Sequence, residues 1–117
     1  MDFKREQYGD VVLMIVELTR ATLKEAEEFK RLLTAEIEGG TRKLIVDLGE
    51  CEFIDSTFLG ALVVSLKKII SLGGDMKLVG FQPAVHSMFE LTRMYRVFEA
   101  HPHRRDALHS FGVRMSR

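Results

Sequence analysis

The sequence predicts an α/β fold: a mostly parallel β-sheet with an antiparallel N-terminal edge strand and about four helices. Short apolar runs at residues 11–16, 44–48 and 76–79 have the length and composition of buried strands. Helical patterns separate these runs, and a helix between two strands of one sheet makes those strands parallel. The weakly alternating segment 3–8 is joined to the next strand only by Gly9-Asp10, so this first pair is predicted to form an antiparallel hairpin.

Apolar residues spaced three and four apart indicate the helices, which are predicted to begin near Leu23, Phe58, Pro83 and Pro102. The first helix has a strong start signal, since Thr22 and Glu25 have the spacing of a capping box. The glycine pairs 39–40 and 73–74 are predicted to end the first and second helices. The predicted buried positions are Leu23, Ala26, Phe29, Leu33 and Ile37 in the first helix, and Leu59, Leu62, Val63, Leu66, Ile69 and Ile70 in the second.

The C-terminal third is predicted from weaker patterns. Val85, Met88 and Phe89 form the inner face of the third helix, and Val97-Phe98 is predicted as a short edge strand. In the last helix Ala107, Leu108 and Phe111 are predicted to face inward.

Length and composition restrict the class of protein. The 117 residues are enough for one domain with a real core, so residues 1–117 are predicted to form a single domain. Because 17 basic and 17 acidic residues balance, no overall positive field attracts nucleic acid or an anionic membrane. The single cysteine, Cys51, excludes an internal disulfide and is predicted to be a buried apolar residue of a cytoplasmic protein.

The most informative stretch lies where an apolar run ends and the second helical pattern begins. Asp55, Ser56 and Thr57 fall at the start of this helix, where backbone N–H groups lack partners and the helix dipole is positive. Such residues are typical of helix capping, and a phosphate added there would be stabilised by the same field. The residues alone leave both interpretations open.

Other chemistry has little support in the sequence. Ser56 lacks the G-x-S-x-G setting of a hydrolase nucleophile, and the glycine pairs lack the spacing and lysine of a phosphate-binding loop. His101, His103 and His109 have no cysteine or carboxylate set that would complete a metal site, and no cofactor is predicted. Whether Asp47 and Asp55 approach each other is left open by the sequence.

The segment from Ile54 to Leu62, I-D-S-T-F-L-G-A-L, resembles the D-S-S/T-G-L-G-x-L motif of the STAS family, the anti-sigma factor antagonists and their relatives. The order of elements also follows this family through most of the chain, including the double glycine and the later Gly-x-x-Pro. The resemblance implies a STAS-like fold.

The same resemblance implies a function. In this family a partner kinase, often the anti-sigma factor itself, phosphorylates the serine of the motif, which corresponds to Ser56, and a PP2C-like phosphatase removes the phosphate. The unphosphorylated antagonist binds the anti-sigma factor and frees a sigma factor. The implied protein is a switchable bacterial adapter and not an enzyme, without direct contact to nucleic acid or membrane, and either a monomer or a weak dimer.

Two departures from the family pattern lie on the implied partner surface, which comprises Thr19, Arg20, Asp55, Ser56, Thr57 and Phe58. Phe58 replaces the usual glycine, and Leu18-Thr19-Arg20-Ala21 replaces the usual Gly-x-Leu-Asp. Phe58 is expected either to present an apolar ring beside Ser56 or to pack into the protein. A second function also stays open: a constitutive STAS adapter of a lipid-transport or sensory complex, without a phosphorylation switch.

Overall fold

The computed structural model describes residues 2–114 and contains a five-stranded sheet in the order β1-β2-β4-β6-β7. The strands of this sheet are β1 (Phe3–Tyr8), β2 (Val11–Val16), β4 (Lys43–Asp47), β6 (Asp75–Val79) and β7 (Glu99–His101). β1 pairs antiparallel with β2, and all the other neighbours are parallel. The predicted mostly parallel α/β fold with an antiparallel edge strand is confirmed.

A second, smaller sheet consists of the short parallel strands β3 (Arg20–Ala21) and β5 (Phe53–Ile54). Each of these strands leads into a helix. β3 is followed by α1 (Leu23–Glu38), and β5 by α2 (Ser56–Ser71). This small sheet therefore brings the first turns of the two longest helices together.

The large sheet is covered on both faces. Buried residues of α1, α2 and α3 (Pro83–Leu91) form one apolar core with one face of the sheet, including Phe29, Leu62 and Val85. On the other face, Ala107 and Leu108 of α4 (Arg104–Ser110) pack with residues of β2, β4 and β6. No helix within residues 2–114 is both long and apolar enough to cross a membrane.

Several predicted boundaries and faces need correction. α2 begins at Ser56, two residues before the predicted start, and α4 begins at Arg104, two residues after it. Residues 94–96 form a 3₁₀ helix, so the last strand is Glu99–His101 and not Val97-Phe98, although Phe98 itself is buried.

Two residues predicted to be buried are exposed, and both lie at helix ends. Leu23 is the first residue of α1, and Ile70 is the last but one of α2; both side chains face solvent. Ile70 follows the half-buried Val63 by seven residues, so both lie at the flank of the buried stripe of α2, and Leu23 lies in the first turn of α1.

The glycine stops are confirmed, and one of them has a steric reason. α1 ends before Gly39-Gly40 and α2 before Gly73-Gly74. A Cβ atom on Gly74 would lie 2.3 Å from the backbone oxygen of Arg42, so only glycine fits where the chain passes from α2 into β6.

Candidate functional site

Ser56 is the first residue of α2, directly after the turn from β5. Its side chain and that of Thr57 are exposed, and neither hydroxyl makes a hydrogen bond within residues 2–114. In an α-helix the backbone N–H groups point toward the N-terminus, and those of the first turn have no carbonyl partner within the helix. An accessible hydroxyl therefore lies at the positive end of a 16-residue helix.

Asp55 fixes this junction with both of its carboxylate oxygens. Oδ1 accepts a hydrogen bond from the N–H of Phe58 at 2.9 Å, which makes Asp55 the N-cap of α2. Oδ2 accepts a hydrogen bond from the N–H of Leu23, the first residue of α1, also at 2.9 Å. The predicted cap is confirmed, and the same carboxylate also joins the start of α1 to the start of α2.

The β3–β5 pairing brings Thr19 and Arg20 to the same junction. The carbonyl oxygen of Thr19 accepts hydrogen bonds from the N–H groups of Glu52 at 2.8 Å and Phe53 at 3.2 Å. The guanidinium of Arg20 lies 4.3 Å from the centre of the Phe53 ring, in a cation–π arrangement. Thr19 and Arg20 are thus close to the N-cap of α2, although they are separated from it by more than thirty positions in the sequence.

The expectation that Phe58 contributes to a partner surface is corrected by its position. Its side chain is fully buried, and its ring stacks on Phe29 of α1 with the ring centres 4.6 Å apart. Phe29 in turn stacks on Phe3 of β1 at 5.0 Å. Phe58 therefore packs into the protein and does not present its ring beside Ser56, so a partner cannot contact the ring.

The five exposed or partly exposed residues at this junction, Thr19, Arg20, Asp55, Ser56 and Thr57, are called the junction surface below. Arg20 is the one side chain in this set that adds a positive charge, and the carboxylate of Asp55 is occupied by two backbone N–H groups. The surface presents exposed hydroxyl groups and one guanidinium to solvent.

The other candidate groups do not join this site. Asp47 accepts a hydrogen bond from the N–H of Gly49 at 2.8 Å and is paired with Arg104, so it shares no partner with Asp55. Burial raises the pKa of the Cys51 thiol to about 12, which leaves no reactive thiolate at neutral pH.

The C-terminal histidines lie elsewhere in the fold. Nε2 of His101 lies 2.6 Å from Glu99, whose pKa is lowered to about 2 by hydrogen bonds from Ser110 and His101. Lys77, which is buried in β6, also reaches this group: its ammonium lies 3.2 Å from the Glu99 carboxylate. Within the part of the chain that the structure describes, no three His, Cys, Asp or Glu side chains come together as a metal site.

The double cap leads to a prediction about stability. Replacing Asp55 by alanine removes one N-cap bond and one bond between helices, so the free energy of unfolding is expected to fall by about 2 kcal/mol. Ser56→Ala is the matched control and should change it by at most about 0.5 kcal/mol, because the Ser56 side chain forms no bond in the described structure. Chemical denaturation measures both, and equal midpoints for the two variants would contradict the double cap.

The comparisons with known proteins agree with this fold and motif. The model of the STAS domain family matches residues 4–107. The Anti-sigma-B factor antagonist of Staphylococcus aureus is 33% identical over 76 residues, which are 65% of this chain and 68% of that relative.

A candidate anti-sigma factor antagonist from Thermotoga maritima superposes with a TM-score of 0.84 at 29% identity over 92% of both chains. The Bacillus cell fate determinant SpoIIAA in its phosphorylated form shares the fold, with a TM-score of 0.73 at 14% identity over 93% of this chain and 98% of its own. The chain belongs to the STAS domain family.

Proposed function

We propose that this protein is an anti-sigma factor antagonist whose binding is switched by phosphorylation of Ser56. The observation that carries the proposal is the exposed hydroxyl of Ser56, which makes no hydrogen bond within residues 2–114. It lies at the N-terminus of α2, beside the Asp55 carboxylate that accepts hydrogen bonds from the first turns of both α1 and α2. The names of the staphylococcal relative and of the Thermotoga structure support the class of partner. In its unphosphorylated form the protein would bind an anti-sigma factor and so free a sigma factor.

The geometry of Ser56 suits it to a reversible modification. A kinase needs an accessible hydroxyl in a segment that can enter its active site, and Ser56 is exposed on the first turn of α2. The phosphate would add a charge of about −1.5 to −2 close to the positive end of the helix dipole, which favours the modified form by about 0.3 to 1 kcal/mol. Phosphorylation should therefore leave the fold intact and act on the partner.

The proposed cycle has two enzymes outside this chain. The anti-sigma factor, with serine kinase activity, would transfer the phosphoryl group to Ser56, and a PP2C-like phosphatase would remove it in the bacterial cytoplasm. The junction surface would make the contact with the anti-sigma factor. Thr57 is the neighbour of the acceptor, and it provides the nearest alternative hydroxyl.

The test is to map the phosphorylated residue. The protein is incubated with ATP and the anti-sigma kinase encoded beside it, and the site is located by mass spectrometry. We expect one phosphate on Ser56, no labelling of Ser56→Ala and unchanged labelling of Thr57→Ala. If the anti-sigma factor binds the protein but transfers no phosphate to it in the presence of ATP, the switch is refuted and the constitutive adapter is favoured. Labelling on another residue would refute the assignment to Ser56.

A further inference from the structure

Leu23 lies at the junction surface although its spacing predicts a buried position. Its side chain is 67% exposed, and its backbone N–H donates to Oδ2 of Asp55, the residue next to Ser56. The Phe58 ring is buried in the core, whereas the side chain of Leu23, whose backbone N–H is bonded to Asp55, is accessible to solvent and to a partner. Single exposed leucines are common, so the position and rigidity of Leu23 matter more than its exposure.

Three hydrogen bonds hold the backbone around Leu23 in place. Thr22 and Glu25 form a complete capping box, in which the Thr22 N–H donates to Oε1 of Glu25 at 3.0 Å. The hydroxyl oxygen of Thr22 accepts from the N–H of Lys24 at 3.3 Å, and Asp55 accepts from the N–H of Leu23 itself. Because the backbone here is already fixed, a partner that covers Leu23 has to restrict only the rotamers of its side chain and not the chain itself.

We propose that Leu23 is the apolar anchor through which the junction surface binds the anti-sigma factor. The proposal rests on the proposed function and specifies its contact: the partner would present an apolar pocket for Leu23. Arg20, exposed and stacked on Phe53, places a positive charge next to this pocket and fits an acidic group on the partner. The departure of this chain from the family pattern before α1 would thus be part of its partner specificity.

An anchor at Leu23 would also explain how a phosphate on Ser56 weakens the binding of the partner. Leu23 and Ser56 are both adjacent to Asp55, one through a hydrogen bond and one through the chain. In the proposed complex, a pocket over Leu23 would extend close to Ser56. A dianion there would have to lose hydration in the interface, so binding of Leu23 and phosphorylation of Ser56 would oppose each other.

The test compares Leu23→Ala with Leu72→Ala in binding to the anti-sigma factor, measured by calorimetry with unphosphorylated protein. Leu72 is the matched control because it is 47% exposed and follows the last residue of α2, about 24 Å from Ser56 along the helix. Leu23→Ala is expected to weaken binding at least tenfold, and Leu72→Ala less than twofold. Leu23→Ala should keep the melting temperature of the wild type, since its side chain is largely in solvent, and Leu72→Ala, whose side chain is half-exposed, should lower it only slightly.

The possible results distinguish a failure of the Leu23 anchor from a failure of the proposed function. If the wild type binds the anti-sigma factor and Leu23→Ala loses less than tenfold, the anchor is refuted while the proposed function stands. An equal loss for Leu72→Ala also refutes the anchor, because the effect would then not depend on the junction surface. If the wild type itself does not bind, the proposed function fails and the anchor fails with it.

Discussion

Replacing Phe58 by alanine is expected to lower the free energy of unfolding by about 3 to 5 kcal/mol, the range for a fully buried aromatic side chain. The ring is inaccessible to solvent and stacks on Phe29 at 4.6 Å, so the variant loses both apolar burial and an aromatic pair between α1 and α2. The cavity would lie directly beneath the junction surface. Urea denaturation of wild type and variant measures the loss.

Tyr95→Ala is the control for this prediction. Tyr95 is also aromatic, but its side chain is 50% exposed in the 3₁₀ helix and stacks on no other ring in the described structure. Its replacement should cost clearly less than that of Phe58, at about 1 kcal/mol or below. Equal midpoint shifts for the two variants would contradict the inward position of Phe58.

The position of Phe58 marks a limit of reasoning by resemblance. The family pattern has glycine at this position, and the resemblance therefore implied a surface residue. Helical periodicity instead places Phe58 one turn before Leu62, on the same buried face. The signal for burial was present in the sequence. The stacking partner Phe29, twenty-nine positions earlier, could not be read from local spacing.

The main strands, the four helices and the cap at Asp55 follow from local patterns, because apolar runs, capping residues and glycines act over a few positions. The strands β3 and β5 have only two residues each, too few for a periodic pattern. The second hydrogen bond of Asp55, to Leu23, spans 32 positions and depends on the pairing of these strands. Only the resemblance grouped Thr19 and Arg20 with the start of α2, and neither the hydrogen bond between Asp55 and Leu23 nor the exposure of Leu23 could be predicted.

Phosphorylation of Ser56 is expected to weaken the complex with the anti-sigma factor at least a hundredfold, which corresponds to about 2.8 kcal/mol. The exposed hydroxyl is neutral, while the phosphate carries about −1.5 to −2 charges and must be desolvated in the interface. Arg20, the cation of the junction surface, is stacked on Phe53. The same modification should change the melting temperature of the free protein only slightly, since the charge lies at a helix N-terminus.

Ser71→Asp is the matched control for charge. Ser71 is exposed and is the last residue of α2, so this variant adds a carboxylate at the opposite end of the same helix. It is expected to bind the anti-sigma factor within about twofold of the wild type, because the charge lies beyond the Debye length of about 8 Å from the junction surface. A comparable loss in this variant would assign the effect to net charge and not to Ser56.

The most direct test of the switch is the dissociation constant of the anti-sigma factor for the same protein before and after stoichiometric phosphorylation of Ser56. An increase of at least a hundredfold, reversed when a PP2C-like phosphatase removes the phosphate, is the predicted result. Equal dissociation constants for the two forms would contradict it.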